Sequence, residues 1–567
     1  MNSTEKLEKL RHSAAHLLAQ AIKELFPKTQ LTIGPATPEG FFYDVLPEKN
    51  FKEEDLKIIE ARMHEIAKRN LPLTHEKIAR TAAKELYKDN RFKTELIDGI
   101  PDETVGIARQ GDFYDLCRGG HVENTSEIKY FKLLTISGSY WRADRNGQAL
   151  QRITGTAFWT EQELKNYEQQ KEDALKYDHR RIGKQLDLFS FHEEGVGFPF
   201  YHPRGKTVLN VLTSFLKKLL DRYGHVEIET PTMLSDELWK RSGHYQFYKD
   251  NMYFSTIDEC EYAIKPMNCP GAMLIYKERP RSYRDLPLRL AEFGHVHRYE
   301  LSGVLHGLFH ARAFTQDDAH IFCTPEQLDH EIANLIRLHH ELISKFDFKK
   351  TSVRVATKPA KSLSSDQLWE TATNALIHGL KTVGYEFEIT PGEGAFYGPK
   401  IEFHLLDSME RSWQCGTIQV DFFQPENFDL TYVTATGAKA RPVIIHRALY
   451  GSMERFFGIL LEHYKGKLPF WLAPVQMKIL PITDQQIDYA HSVARLVKEA
   501  GIRVAIDESS DQISAKIKTA YEEAVPWAII VGKKELEKNS VTLRYLDGKQ
   551  EFDLSIEKLI EKAHAHN

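Results

Sequence analysis

From Arg298 to His320 the chain reads RYELSGVLHGLFHARAFTQDDAH. A strand-like segment ends in Arg298-Tyr-Glu300, a loop with Gly303 and Gly307 follows, and the chain returns through His310 and Phe314. Two cationic positions and an aromatic on two arms of a hairpin suit a nucleoside triphosphate. A fixed guanidinium can hold the α-phosphate, a second cation the outer phosphates, and the aromatic face can stack on the base. Downstream, Gly451-Ser-Met-Glu-Arg455 sets another arginine at the start of an apolar helix. Cys269, His320 and His446 lie too far apart to be a metal signature by spacing, and a buried cysteine with two core histidines is the plain reading. His12 and His16, four apart, share one helix face, and GDFYDLCRGGH supplies Asp115, Cys117 and His121. Taken bare, the two histidines with Cys-x-x-x-His read as a zinc site. For Lys93, in RFKTELI, the bland alternative is an ordinary surface lysine.

These residues need elements to hold them. With 567 residues the chain has length for roughly three to five domains, each with its own core. At 42% hydrophobic and 27% charged it reads as globular, without a disordered bias. The opening MNSTEKLEKLRHSAAH lacks a signal peptide's apolar stretch, and no run approaches transmembrane length. Five scattered cysteines point to a reducing compartment, so a cytoplasmic protein with no membrane partner is expected. A net charge of −5 gives no global positive field, and composition alone ranks nucleic-acid binding low.

In LEKLRHSAAHLLAQAIKELF the apolar positions Leu10, Ala14, Leu17, Leu18, Ala21, Ile22 and Leu25 recur at helical spacing. Strand-like GDFYDLC and FKLLTISGSYW follow, predicting an α+β domain over 1–159. Thr160 with Glu163 makes a capping box ahead of a heavily charged stretch, so a solvated connecting helix is expected over 160–177. The segment 178–469 mixes helices with strands rich in Phe, Ile, Val and Tyr. Over 470–567, strand, helix, strand, helix, strand, a hairpin turning at Asp547-Gly548 and a last helix predict a compact α/β domain.

Singly, each chemical piece is modest; an arginine with Glu two residues later is usually a surface ion pair. Their order carries the weight. VLNVLTSFLKKLLDRYG with HVEIETPTM, then the Arg298–Phe314 hairpin, then GSMER resemble motifs 1, 2 and 3 of the class II aminoacyl-tRNA synthetases. With IKPMNCPGAM, TQDDAH and PVIIHRALYGSMER, the chain resembles the threonyl-tRNA synthetase family over nearly its whole length. The resemblance implies a multidomain α+β and α/β protein. It would comprise an α+β editing domain, a class II catalytic domain with an antiparallel sheet flanked by helices, and a C-terminal α/β anticodon-binding domain. It also implies a homodimer built on motif 1 that activates threonine with ATP, charges tRNA(Thr) and hydrolyses mischarged Ser-tRNA(Thr).

By the same resemblance Cys269, His320 and His446 bind one zinc per subunit, to which threonine's amino group and hydroxyl both bind. Arg298, Lys400 and Arg455 form the catalytic set: the first two at the α-phosphate with magnesium, Arg455 at the γ-phosphate and on the base. Glu300, His310, Phe314 and Gln414 complete the ATP site. His244, Gln316, Asp318, Tyr397, Gln419 and Ser452 line the amino-acid pocket, with Asp318 toward the ammonium. His12, His16, Lys93, Asp115, Cys117 and His121 match the editing pocket, which in the family works without metal; the zinc reading stands beside it. Glu535 and Arg544 match anticodon-reading positions.

Three features depart from the family pattern. The family commonly starts with a small domain ahead of the editing domain, which this sequence is expected to lack. His310 stands where relatives often carry arginine, which predicts pH-sensitive triphosphate binding. The loop Ser510-Asp-Gln-Ile-Ser514 has neither the lysine nor the glycine of its family counterpart. The rival readings are a class II synthetase for serine or proline, a non-catalytic synthetase-like RNA-binding regulator, and a stand-alone deacylase. The first would hold no zinc, intact Arg298 and Arg455 speak against the second, and the third would not need the ATP hairpin.

Overall fold

In the computed structural model, the apolar stripe of the N-terminal segment becomes the buried face of a helix, Ser3–Leu25. The structure describes residues 3–566 apart from 145–146, 349–350, 361, 363–364, 396 and 407–410. It gathers into two compact units, Met1–Glu172 and Asp173–Asn567.

In the first unit, Ser3–Leu25 packs on a sheet in which Gly40–Leu46 and Tyr130–Tyr140 flank Ala149–Phe158. A second antiparallel sheet runs Leu73–Ala79, Thr104–Gln110, Phe113–Leu116. Asn90 caps the helix Arg91–Asp98 by accepting the N–H groups of Phe92 and Lys93. Lys93 is only 2% exposed, against the bland alternative of a surface lysine: the helix turns it inward onto a buried carboxylate. The expected capping box forms, with Thr160 and Glu163 exchanging hydrogen bonds, and the helix Glu161–Lys176 buries none of its residues.

The second unit is organised by an eight-stranded sheet, counted among the described residues. Its order is Val226–Glu227, Leu288–His297, Ala313–Cys323, Val443–Ser452, Ser412–Asp421, Lys400–Leu406, Thr351–Ala356, Glu388–Thr390. The pairs are antiparallel except at the two edges, where Val226–Glu227 and Glu388–Thr390 join parallel. Alternation along the strands sorts side chains by face. Ala319, Ile321, Ile445, Ile418, Val420, Ile401 and Phe403 enter one core with the helices Pro203–Arg222, Leu328–Ser344 and Asp366–Val383. The intervening residues are left for the other face. After Leu468-Pro469 comes a five-stranded sheet, Val504–Ile506, Met477–Pro481, Trp527–Val531, Ser540–Tyr545, Gln550–Ser555. A short helix, Lys533–Lys538, was not read from the sequence: KKELEK has no apolar period.

Candidate active site

On the polar face of the large sheet, register lines up one row of side chains. Lys400 is opposite Gln419, Gln419 opposite His446, and His446 opposite His320. Gln316 faces Ser452 at a bulge further along the same strands. Cys269 opens the helix Cys269–Lys277, and its ligand atom and those of His320 and His446 lie within 4.8 Å of one another, all buried. Asp421 Oδ2 sits 2.8 Å from His446 Nε2, which leaves Nδ1 for a metal and is the usual second partner of a metal-binding imidazole. Burial, with His446 and Arg447 adding to it, holds the His320 imidazole well below its usual range. Burial also pushes the Cys269 thiol up, with Asp318 and Asp421 adding to it. A neutral imidazole is ready to ligate, whereas a thiol in this setting needs a cation to become thiolate. One cysteine and two histidines with an open fourth position are a donor set that fits zinc.

The same cleft, about 310 Å³, is lined by Arg298, Glu300, His310, Phe314, Gln316, Asp318, Tyr397, Gln414, Gln419, Ser452 and Arg455 as well as the three donors. Arg298 is held in advance: Nε donates to the Pro266 carbonyl at 3.3 Å, and the guanidinium lies 5.0 Å from the Phe314 ring centre. Arg455 donates Nε to the Phe309 carbonyl at 3.0 Å and Nη1 to the Gln414 carbonyl at 3.2 Å. Ser452 caps its helix by accepting the Arg455 N–H. His310 Nε2 is 3.2 Å from Glu300 Oε2, which ties the two arms of the hairpin together. Asp318 accepts from Asn268 at 3.2 Å, and burial pushes its carboxyl up, a cost that a substrate ammonium would offset. Lys400 and His244 stand outside the lining. Lys400 pairs with Glu402 at 2.5 Å, and buried His244 lies 3.9 Å from Cys269 Sγ, its imidazole brought down to about 3 by burial and then by His446 and Arg298.

The N-terminal unit holds a second cluster. Cys117 Sγ lies 3.4 Å from His12 Nε2 and 3.2 Å from His121 Nε2, and accepts the Gly119 N–H at 3.3 Å. His16 Nδ1 is 3.0 Å from Asp115 Oδ2, while Lys93 Nζ pairs with Asp115 Oδ1. Burial would push the Cys117 thiol up, but hydrogen bonds from His12, His121 and His16 outweigh it and bring it down to about 3. Burial would lower His16, yet Asp115 and Cys117 lift it to about 9. The ligand atoms of His12, His16, Cys117 and His121 lie within 4.8 Å of one another, so a metal could bind there only by displacing the His16 proton. Iodoacetamide labelling of Cys117, resolved by peptide mapping, should therefore stay flat from about pH 5 to about pH 8, where an ordinary thiol gains roughly tenfold per unit. A tenfold rise per unit at Cys117 would contradict the thiolate.

Three family models match the chain: the tRNA synthetase class II core domain (G, H, P, S and T) over 253–464, the anticodon binding domain over 473–566, and the threonyl and alanyl tRNA synthetase second additional domain over 105–154. The threonine–tRNA ligase of Clostridium botulinum (strain Okra / Type B1) is 50% identical over 98% of this chain and 87% of its own length. The chain belongs to the threonine–tRNA ligase family. The Clostridium acetobutylicum ligase is 49% identical over 94% of this chain and 84% of its own length. A solved structure of the RNA binding domain of threonyl-tRNA synthetase from Cryptosporidium parvum Iowa II, 41% identical, superposes with a TM-score of 0.67 over 69% of this chain and 98% of its own.

As a member of the threonine–tRNA ligase family the chain has the expected class II core, with its second additional domain and anticodon domain. Sequence reading missed several residues that hold the sites. Asp421 orients His446, and its same-face spacing from Gln419 was the available signal. Tyr43 donates to Asp115 at 2.6 Å and accepts from Lys93 at 3.0 Å, but it reads as one more core aromatic. Asp317 accepts the N–H groups of Leu449 and Gly451 at 2.8 and 2.9 Å, pinning the Arg455-bearing segment to the Ala313–Cys323 strand. Of the two anticodon candidates, Arg544 lines a cleft with Lys518 and Tyr521. Glu535 does not: its carboxylate accepts Gly532 N–H at 3.0 Å and the Thr542 hydroxyl at 2.9 Å.

Proposed function

We infer that the chain is a threonine–tRNA ligase that activates threonine with ATP and magnesium, charges tRNA(Thr), and hydrolyses Ser-tRNA(Thr). The observation that carries this reading is the convergence of Cys269, His320 and His446 with Arg298 and Arg455 on one cleft. The domains we assign are editing (1–159), a connecting helix (160–177), catalytic (178–469) and anticodon-binding (470–567). Arg298 and Lys400 hold the α-phosphate while the threonine carboxylate attacks in line and pyrophosphate leaves; Arg455 and His310 hold the outer phosphates. Phe314 and Glu300 orient the adenine, and Asp318 the ammonium. Gln316, Gln414, Gln419, Tyr397, Ser452 and His244 shape the substrate side. Zinc bound by Cys269, His320 and His446, one per subunit, would read an amine and a neighbouring hydroxyl together.

Selectivity follows from the same donors. Valine lacks the hydroxyl, and a site built on a substrate OH rejects such an analogue by about 10⁴-fold or more. Serine keeps the hydroxyl and lacks one methyl, worth only about 1–3 kcal/mol, so charging alone is inaccurate and editing is needed. In the editing pocket Lys93, Asp115 and the Cys117–histidine cluster orient water against the serine ester without metal. His121→Ala or Cys117→Ala should leave threonine activation intact and slow Ser-tRNA(Thr) hydrolysis at least about 10²-fold. Unchanged deacylation in both variants would remove the editing assignment.

We assign the helix Pro203–Arg222 and the strand that follows to a homodimer interface; a native mass of 65.4 kDa by light scattering would contradict it. In the anticodon-binding domain Arg544 is the stronger base-reading candidate, since a guanidinium can make paired hydrogen bonds to a base edge. Among the described residues no helix is long and apolar enough to cross a membrane. The five free cysteines support a cytoplasmic location; secretion with paired cysteines would contradict it.

A further inference from the structure

Behind the hairpin lies a buried group that no step above uses. His179 opens the helix His179–Gln185 and is wholly buried. Its Nδ1 lies 2.8 Å from Glu462 Oε1, which also accepts the His179 backbone N–H at 3.1 Å. Its Nε2 accepts the backbone N–H of Leu308 at 3.1 Å. A ring nitrogen that accepts carries no proton, so the proton is on Nδ1 and is donated to Glu462. With both ring nitrogens engaged, the grouping of Asp178, His179 and Glu462 is not a metal site. The second Glu462 oxygen pairs with Arg411 at 2.8 Å.

The chain at Leu308 is the return arm of the ATP hairpin. One residue on, the Phe309 carbonyl accepts Arg455 Nε at 3.0 Å, and the Phe309 ring centre lies 4.2 Å from that of His179. The turn is pressed against the imidazole: a Cβ on Gly307 would sit 2.3 Å from Nε2. The helix Met453–His463 carries Arg455 at its start and Glu462 about two turns later. The contacts therefore close a ring, from Glu462 through His179, Leu308 and Phe309 to Arg455, and along the helix back to Glu462.

We propose that His179 is a positioning residue for ATP: it fixes the Leu308–His310 turn against the Arg455 helix, so that the Arg455 guanidinium and the His310 imidazole meet the triphosphate in a set orientation. It touches no reacting atom, and the inference rests on the ATP-site reading above. The side chain of His179→Asn keeps a donor near Nδ1 for Glu462 and offers nothing at Nε2; that of His179→Gln reaches an oxygen to the Nε2 position. In threonine-dependent ATP–pyrophosphate exchange, His179→Asn should raise the KM for ATP about threefold to tenfold, the effect of one lost hydrogen bond, with the KM for threonine and Ser-tRNA hydrolysis unchanged. His179→Gln should recover most of that loss. Wild-type protein without any exchange would instead remove the ATP-site reading itself. A wild-type KM for ATP in His179→Asn, equal rises for both substrates, or no recovery in His179→Gln would overturn the positioning role. Should His179→Asn fail to fold by thermal melting, Glu462→Ala, which removes the acceptor of both His179 hydrogen bonds, carries the same test: a rise confined to ATP supports the role, and none overturns it.

Discussion

Cys269→Ala should lose zinc and threonine activation together, with kcat/KM for threonine down on the order of 10⁴-fold, while hydrolysis of Ser-tRNA continues at the wild-type rate. The size follows from what the residue does for selectivity. A site built to use a substrate hydroxyl loses roughly that factor when the hydroxyl has nothing to meet. Removing the thiol leaves two imidazoles, His320 and His446, in a pocket whose remaining buried acids, Asp318 and Asp421, are already engaged with Asn268 and His446. Two ligands hold zinc far less well than three, and the alanine offers no replacement. The unaffected editing reaction, which belongs to the other compact unit, separates this outcome from general misfolding. Threonine activation near the wild-type rate in zinc-free Cys269→Ala would sink the metal assignment.

The second large effect is expected at Arg298. Its guanidinium is positioned before substrate arrives, by the Pro266 carbonyl and by the faces of Phe314 and Tyr248, 5.0 and 5.6 Å away. A preorganised donor of this kind matters most where charge develops, on the α-phosphate as pyrophosphate leaves. Arg298→Gln keeps much of the packing and removes the charge. It should lower kcat for exchange by about 10²–10³-fold, the usual cost of losing one such donor. A change confined to the KM for ATP would show instead that Arg298 binds the ground state and transition state equally.

How much of this was legible in the sequence depended on where the information sits. Arg298, Phe314, Cys269, His320, His446 and Arg455 were legible through the resemblance of their segments to the family's motifs, and the strands Leu288–His297, Ala313–Cys323 and Val443–Ser452 with the helices Cys269–Lys277 and Met453–His463 bring them together. The helix face shared by His12 and His16 followed from a spacing of four. Asp421, Tyr43 and Asp317 were not assigned, because their roles arise from cross-strand register and from partners 25 to 132 residues away, as between Asp421 and His446 or Asp317 and Leu449. Lys93 was legible only through the family resemblance: in RFKTELI nothing local distinguishes a lysine facing a buried aspartate from one facing water. Glu535 was legible as a family position, yet the structure engages its carboxylate in capping its own short helix.

The central claim is that one cleft reads threonine by its hydroxyl and couples it to ATP. Its most direct test is amino-acid-dependent ATP–pyrophosphate exchange with threonine, serine and valine, on protein of measured zinc content. Strong exchange with threonine, weaker exchange with serine and negligible exchange with valine are expected. Exchange with valine comparable to that with threonine, or none with any of the three on folded, zinc-loaded protein, would contradict it.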